Sequence, residues 1–125
     1  MTSPRKCALD IFHETLQKGS YPNLLYKERA AAYEERDRKL ITLLISDSLS
    51  NLIHIDYILS KFIGGKKVKP IIRNILRMAV DQIKFLEFPH HAVINESVEL
   101  CSLVGKPMLK GFVNGVLRNY VRNME

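Results

Sequence analysis

The chain has 125 residues, of which 46% are hydrophobic and 26% charged, and its formal net charge is +6. This length fits one domain, residues 1–125, and the apolar fraction excludes wholesale disorder. No apolar run approaches the roughly 18 residues of a membrane-spanning helix, and no long apolar segment marks a secretory signal, so we expect a cytoplasmic protein with no membrane partner.

Apolar residues recur at helical spacing along almost the whole chain, and proline, glycine and polar residues divide it into segments. The first predicted helix begins at Pro4, with Ser3 as its N-cap, and ends at Gly19. The second begins at Pro22 and extends to about Tyr33.

The third predicted helix has Asp37 as its cap, and its predicted buried side consists of Leu40, Ile41, Leu43, Leu44 and Ile45. The polar cluster Ser46-Asp47-Ser48 predicts a break or bend, because these side chains compete for backbone hydrogen bonds. The fourth helix then covers residues 49–62, and Gly64-Gly65 ends it.

After a basic loop at residues 66–69, Pro70 opens the fifth predicted helix, which the Phe88-Pro89 pair breaks. The sixth covers residues 90–104. The last begins at Pro107 and has the cleanest apolar pattern. The predicted apolar faces of these and the earlier helices include Leu24, Leu43, Ile53, Tyr57, Met108, Leu109 and Phe112. With about seven helices and no convincing strand, the sequence predicts a compact all-α bundle.

The residues that could carry chemistry do not form a recognisable enzyme site. The pair Gly111 and Gly115 fits no nucleotide-binding fingerprint, and we expect it to allow the close approach of a neighbouring helix. The four histidines and two cysteines show no metal-ligand spacing. Cys7 and Cys101 lie on apolar faces and are expected to be buried, unreactive thiols. The sequence therefore predicts no catalytic residue, no metal and no disulfide.

Basic residues concentrate in the second half of the chain. Residues 61–125 hold eleven Lys/Arg and five Asp/Glu, so they carry the whole +6. The candidate phosphate contacts are Arg5, Lys6, Lys66, Lys67, Lys69, Arg73 and Arg77, with Lys110, Arg118 and Arg122 as weaker candidates. If these clusters converge they form a phosphate-binding surface, and otherwise they are solvated helix faces. Aromatic residues are sparse among them, so phosphate contact is better supported than base recognition.

Two long runs resemble the bacterial NusB-like domain. The run Phe88–Leu100 is similar to the signature P-x-H-A-V-I-N-E-x-V-E-L, and Phe112–Arg118 is similar to the helix F-V-N-G-V-L-R. Leu76–Gln82 resembles the motif L-R-x-A-x-x-Q, and Asp37–Leu40 resembles D-R-x-L. The resemblance covers essentially the whole chain and implies the NusB-like helical fold and binding of RNA.

Within this superfamily, Val116-Leu117-Arg118-Asn119 is similar to the N-terminal domain of RsmB/Sun/Fmu rRNA cytosine-5 methyltransferases, whereas antitermination factors usually have V-L-D-K there. The resemblance implies a non-catalytic module that helps present ribosomal RNA to a methyltransferase domain beyond Glu125. That domain would bind S-adenosylmethionine, and this chain would hold no cofactor.

Two alternatives remain open from the sequence. One is a free-standing NusB-type factor that regulates transcription by antitermination, through RNA and a ribosomal-protein partner. The other is a packing domain that touches no RNA. One departure also matters, because relatives often carry a Gly-Thr-Leu-Arg-like turn where this chain has Asp47-Ser48-Leu49-Ser50. An RNA contact made by that turn is therefore not expected here.

Overall fold

A computed structural model describes residues 2–124 of the chain. Within this range the chain forms seven α-helices and one short 3-10 helix, without a strand. The helices are α1 (Pro4–Lys18), α2 (Pro22–Ala30), α3 (Glu35–Ser50), α4 (Leu52–Ile63), α5 (Pro70–Lys84), α6 (His90–Leu103), the 3-10 helix (Pro107–Leu109) and α7 (Lys110–Arg122). The prediction of an all-α fold with about seven helices is confirmed. None of these helices is long and apolar enough to cross a membrane.

The helices pack as two compact units, Met1–Ser50 with α1 to α3 and Asn51–Glu125 with α4 to α7. In the first unit α1 packs against both α2 and α3. In the second unit α5 packs against α4, α6 and α7. The single domain expected over residues 1–125 stays a prediction.

The first unit shows why α1 begins and ends where the sequence predicts. The Ser3 hydroxyl accepts a hydrogen bond from the Lys6 backbone N–H at 3.2 Å, which caps the first turn. Gly19 ends the helix in the left-handed conformation, with a φ of +67°, and its N–H donates to the Thr15 carbonyl. Between these caps, Cys7, Leu9 and the neighbouring apolar residues of α1 are buried.

The second helix is shorter than predicted, because it ends at Ala30 and not near Tyr33. The chain turns there, and the Tyr33 N–H donates to the Ala30 carbonyl at 3.0 Å. This turn buries the Tyr33 ring and directs its hydroxyl to the Thr2 carbonyl, to which it donates at 2.7 Å. A long-range contact of Tyr33 therefore replaces the last turn of the predicted helix.

The predicted cap and break of the third helix are both wrong. The helix begins at Glu35, so Asp37 lies in its first turn, where a carboxylate complements the positive end of the helix dipole. It then continues through residues 46–48 to Ser50, and the interruption falls at Asn51. Ser48 is buried on the same face as Leu44, so packing outweighs the modest helix propensity of the polar cluster.

Several side chains assigned to apolar faces are exposed. Tyr57 is 61% exposed and Ile53 is 89% exposed, although both lie on helix α4 beside buried residues such as Ile55. The corrected residues are Leu24, Leu43, Ile53, Tyr57 and Met108. When consecutive apolar residues cover more than one face of a helix, some of their side chains face solvent.

Helix α5 supplies the core of the second unit, since every residue from Asn74 to Ile83 except Arg77 is buried. The Gln82 side-chain amide donates to the Met78 carbonyl at 3.0 Å and so satisfies one buried polar group. The buried faces of α6 and α7 pack on α5, the latter through residues such as Val113 and Leu117.

The prediction for the glycine pair is wrong. A Cβ atom added to Gly111 or Gly115 would meet no heavy atom within 4 Å among the described residues, apart from its own stretch of helix. Both glycines face solvent on α7, so no neighbouring helix needs their small size.

The two cysteines are buried, as predicted, and neither is part of a disulfide among the described residues. Burial raises the pKa of both thiols, Cys7 and Cys101, which disfavours the nucleophilic thiolate. Among the described residues, no cluster of His, Cys, Asp and Glu could hold a metal ion.

Candidate nucleic-acid interface

The basic loop between α4 and α5 is held at both ends. Gly64 ends α4 with a φ of +65°, and its N–H donates to the Ser60 carbonyl at 3.3 Å. At the other end, the Lys69 carbonyl accepts a hydrogen bond from the Arg73 N–H at 2.9 Å, and Pro70 opens α5. Lys66, Lys67 and Lys69 are all exposed between these anchors. The local fold therefore presents three cations on a short surface loop.

This loop lies beside the start of α7 and forms a cavity of about 480 Å³ with it. We call this cavity the lysine groove, which is lined by Lys66, Lys67, Val68, Lys69, Ile72, Leu109 and Phe112. The Lys66 ammonium lies 5.9 Å from the centroid of the Phe112 ring, within the range of a cation–π interaction. None of the described residues that line the groove carries a carboxylate, so it combines cationic and apolar groups.

Arg73 and Arg77 follow Lys69 along α5, but the structure gives them different surroundings. The Arg73 guanidinium is half-buried and forms no side-chain hydrogen bond or ion pair within residues 2–124. The Arg77 guanidinium instead donates two hydrogen bonds to the Asp56 carboxylate, both at 2.8 Å, and a third to Asn74 Oδ1 at 2.9 Å. Arg77 thus joins α5 to α4.

The basic residues predicted on α7 are dispersed along that helix. The Lys110 ammonium lies 3.8 Å from a Glu99 carboxylate oxygen. Arg118 and Arg122 are exposed, and their guanidinium groups donate to the side-chain oxygens of Asn114 and Asn119, at 3.0 and 3.4 Å. Of the three basic residues, only Lys110 directly adjoins a residue of the lysine groove.

The remaining candidates, Arg5 and Lys6, belong to the first unit. The Lys6 ammonium donates to both carboxylate oxygens of Asp10, at 2.9 and 2.8 Å, and its side chain is only 15% exposed. Arg5 is half-buried at the start of α1. Since Lys6 is neutralised by a neighbour one turn along, its charge contributes little at the surface.

Sequence reasoning missed the apolar floor of the groove. The apolar periodicity predicts Leu109 and Phe112 on the inward face of the last helix, whereas both are half-buried and line the groove. No local signal marks this position, because it depends on the packing of the basic loop beside the start of α7. The side chains identified from charge alone therefore form only the rim of this site.

The charge of the second unit matches this arrangement. Residues 51–125 contain eleven Lys/Arg and six Asp/Glu, for a net charge of +5. A helical protein with a cationic, carboxylate-free groove belongs to the class of proteins suited to bind anions. The NusB family profile matches residues 2–122, and the chain belongs to the NusB family.

Two relatives show how this domain occurs in other proteins. The probable ribosomal RNA small subunit methyltransferase B of Bacillus subtilis is 38% identical over 97% of this chain, which spans only 28% of that relative's length. The transcription antitermination protein NusB of an Azoarcus species is 32% identical over 90% of this chain and 77% of its own.

Solved structures agree with the fold. The NusB chain in a crystal structure of the antitermination factors NusB and NusE with double-stranded RNA has a TM-score of 0.87 and 22% identity. The superposition covers 97% of this chain and 95% of that one. A crystal form of Thermotoga maritima NusB has a TM-score of 0.84 and 21% identity, covering 98% and 94% of the two chains.

Proposed function

We propose that this chain is an RNA-binding domain whose lysine groove contacts RNA phosphates. The observation that carries the proposal is that Lys66, Lys67 and Lys69 line one groove whose described lining residues include no carboxylate. Lysine ammonium groups neutralise phosphates without reading base sequence, so we expect binding with strong salt dependence. The family also includes a protein crystallised with double-stranded RNA, which supports RNA as the anionic partner.

The structure suggests an order among the predicted contacts. The three groove lysines come first, and Arg73 follows one turn along α5 with no internal partner for its guanidinium among the described side chains. Lys110, Arg118 and Arg122 would make weaker contacts, and Arg5 keeps its place as a candidate. Arg77 and Lys6 are better explained by their carboxylate partners, so we leave them out of the proposed contact set.

We further propose that the domain belongs to an rRNA cytosine-5 methyltransferase and presents ribosomal RNA to it. The support is the 38% identity to a methyltransferase of which this chain spans 28%, because that relative has ample length for a separate catalytic domain. The chain itself would be non-catalytic and hold no cofactor. S-adenosylmethionine would bind outside it.

The second candidate function is a free-standing antitermination factor, and the 77% coverage of Azoarcus NusB favours it. A factor of this kind would act with a ribosomal-protein partner such as the NusE that accompanies NusB in the related crystal structure. RNA affinity measured with and without NusE separates the two functions. A large gain in RNA affinity on adding NusE supports the antitermination factor, and no gain supports the methyltransferase domain.

Salt dependence tests the lysine groove directly. The triple variant Lys66→Ala, Lys67→Ala, Lys69→Ala should bind fragments of small-subunit rRNA more weakly, with a log–log salt slope reduced by about 2 to 3, since each phosphate contact contributes about 0.7 to 0.9. The matched control removes the same charge from exposed lysines of the first unit, Lys18, Lys27 and Lys39. An equal loss of slope in both triple variants would show that only net charge matters and would refute the groove.

A further inference from the structure

A second cavity of the second unit, with a volume of about 690 Å³, lies among α4, the end of α5 and the end of α7. It shares no lining residue with the lysine groove. We call it the tyrosine pocket, and its polar and aromatic lining residues are His54, Tyr57, Lys61, Phe62, Lys84, Asn119, Tyr120 and Asn123. Its volume lies within the roughly 300–1,000 Å³ of ordinary small-ligand sites.

The pocket exposes an aromatic face. Tyr57 lines the pocket and is 61% exposed, so its ring is accessible to a ligand. His54, Tyr57 and Lys61 recur at intervals of three and four residues, so they share one face of α4. Beneath them, the Phe62 and Tyr120 rings meet edge to face with centroids 5.6 Å apart, which gives the pocket a rigid floor. The Lys61 ammonium covers one face of the Tyr57 ring, so a planar ligand would stack on the opposite face of this exposed side chain.

The pocket also concentrates positive charge. The Lys61 ammonium lies 4.5 Å from the centroid of the Tyr57 ring, and the Lys84 ammonium lies 5.8 Å from that of Phe85. Neither lysine has a carboxylate within salt-bridge distance in the part of the chain that the structure describes, and the described lining contains no Asp or Glu. An anion entering the pocket would meet two lysine side chains and, among the lining residues that the structure describes, no carboxylate.

Side-chain amides complete the wall. The Asn123 amide group donates to the Asn119 carbonyl at 2.7 Å and to the Asn119 side-chain oxygen at 3.0 Å. These bonds fix the two amides at the end of α7. Asparagine amides carry both donors and acceptors, so they can pair with the polar edge of a heterocycle.

We propose that the tyrosine pocket binds one unpaired nucleotide of the RNA, with its base stacked on Tyr57 and its phosphate held by Lys61 and Lys84. A nucleoside phosphate combines the planar ring and the anion that this wall matches, and stacking on an aromatic side chain accepts any base. The inference rests on the proposed RNA-binding function. It adds to the phosphate-contacting groove a second site that prefers single-stranded RNA.

The test compares an RNA hairpin with a blunt end and the same hairpin extended by a single-stranded hexanucleotide that contains 2-aminopurine. The wild-type chain should bind the extended hairpin about tenfold more tightly than Tyr57→Ala does, and should quench the 2-aminopurine emission by stacking. Tyr57→Phe keeps the ring and should behave as wild type. Ile53→Ala, at an 89% exposed position of the same helix that does not line the pocket, is the matched control.

The outcomes separate this inference from the proposed function. If wild type and Tyr57→Ala bind the extended hairpin equally while both bind the blunt hairpin, the tyrosine pocket is refuted and the lysine groove is unaffected. If wild type binds neither hairpin, the RNA-binding function itself fails. Free 2-aminopurine riboside monophosphate is a further probe. If it binds as tightly as the extended hairpin does, the ligand of the pocket is a mononucleotide, and the proposal that the ligand is RNA is refuted.

Discussion

The spacing of Lys69, Arg73 and Arg77 in the sequence predicts that all three contact phosphate. The structure instead gives Arg77 a structural role. Its guanidinium makes a two-pronged hydrogen-bonded pair with Asp56 and a further bond to the buried Asn74 side chain, and it is only 17% exposed. Hydrogen bonds to charged groups contribute about 1.5–3 kcal/mol. Because Asp56 is 39% exposed, water can partly solvate its carboxylate after the Arg77 side chain is removed. We therefore expect Arg77→Ala to lower the free energy of unfolding by about 2–3 kcal/mol.

Urea denaturation of Arg77→Ala and Arg73→Ala, together with the salt dependence of RNA binding, checks this reasoning. Arg73→Ala should change the free energy of unfolding by less than about 0.5 kcal/mol and reduce the salt slope by about 1. Arg77→Ala should show the reverse pattern, and a double-mutant cycle with Asp56→Ala should give a coupling of about 1–3 kcal/mol. Unaltered stability of Arg77→Ala with a salt slope reduced as much as in Arg73→Ala would refute the structural role.

Two further predictions concern stability. Gly111→Ala and Gly115→Ala should each raise the free energy of unfolding by about 0.5–1 kcal/mol, because both are solvent-facing helical positions where an added Cβ meets no heavy atom within 4 Å. Thermal or urea unfolding measures this change. A lower free energy of unfolding in either variant would contradict the prediction. Burial lowers the pKa of His13 below its ordinary value of 6.5, so the unfolded chain takes up that proton first and stability should fall as the pH decreases through 6.5. His13→Gln should flatten this part of the pH–stability curve, and superimposable curves for variant and wild type would contradict the assignment.

Helix positions followed from the sequence because their start and stop signals are local. Ser3 and Gly19 cap α1 through contacts within a few residues, and proline opens α5 as predicted. The end of α2 and the continuity of α3 depend instead on where Tyr33 and Ser48 are buried. Those positions are set by contacts across the unit, which local propensity does not encode.

Some residues of the candidate site can be identified from the sequence, and others depend on long-range packing. The exposed lysines of the basic loop were identifiable from their spacing and the flanking glycine and proline. Charge alone could not distinguish Arg73 from Arg77, because the difference is a carboxylate twenty-one residues earlier in the chain. Likewise, the apolar periodicity predicts that Phe112 is a core residue, and only the packing of the loop beside α7 places it in the groove.

The position of the groove lysines on a solvated loop has a consequence for kinetics. Exposed rim charges accelerate diffusional encounter with an oppositely charged partner far more than they slow its departure. The ammonium groups also sit on flexible stems that lose rotamer freedom when they engage phosphate, which limits how long any one contact persists. We therefore expect a domain that captures RNA rapidly and exchanges it readily.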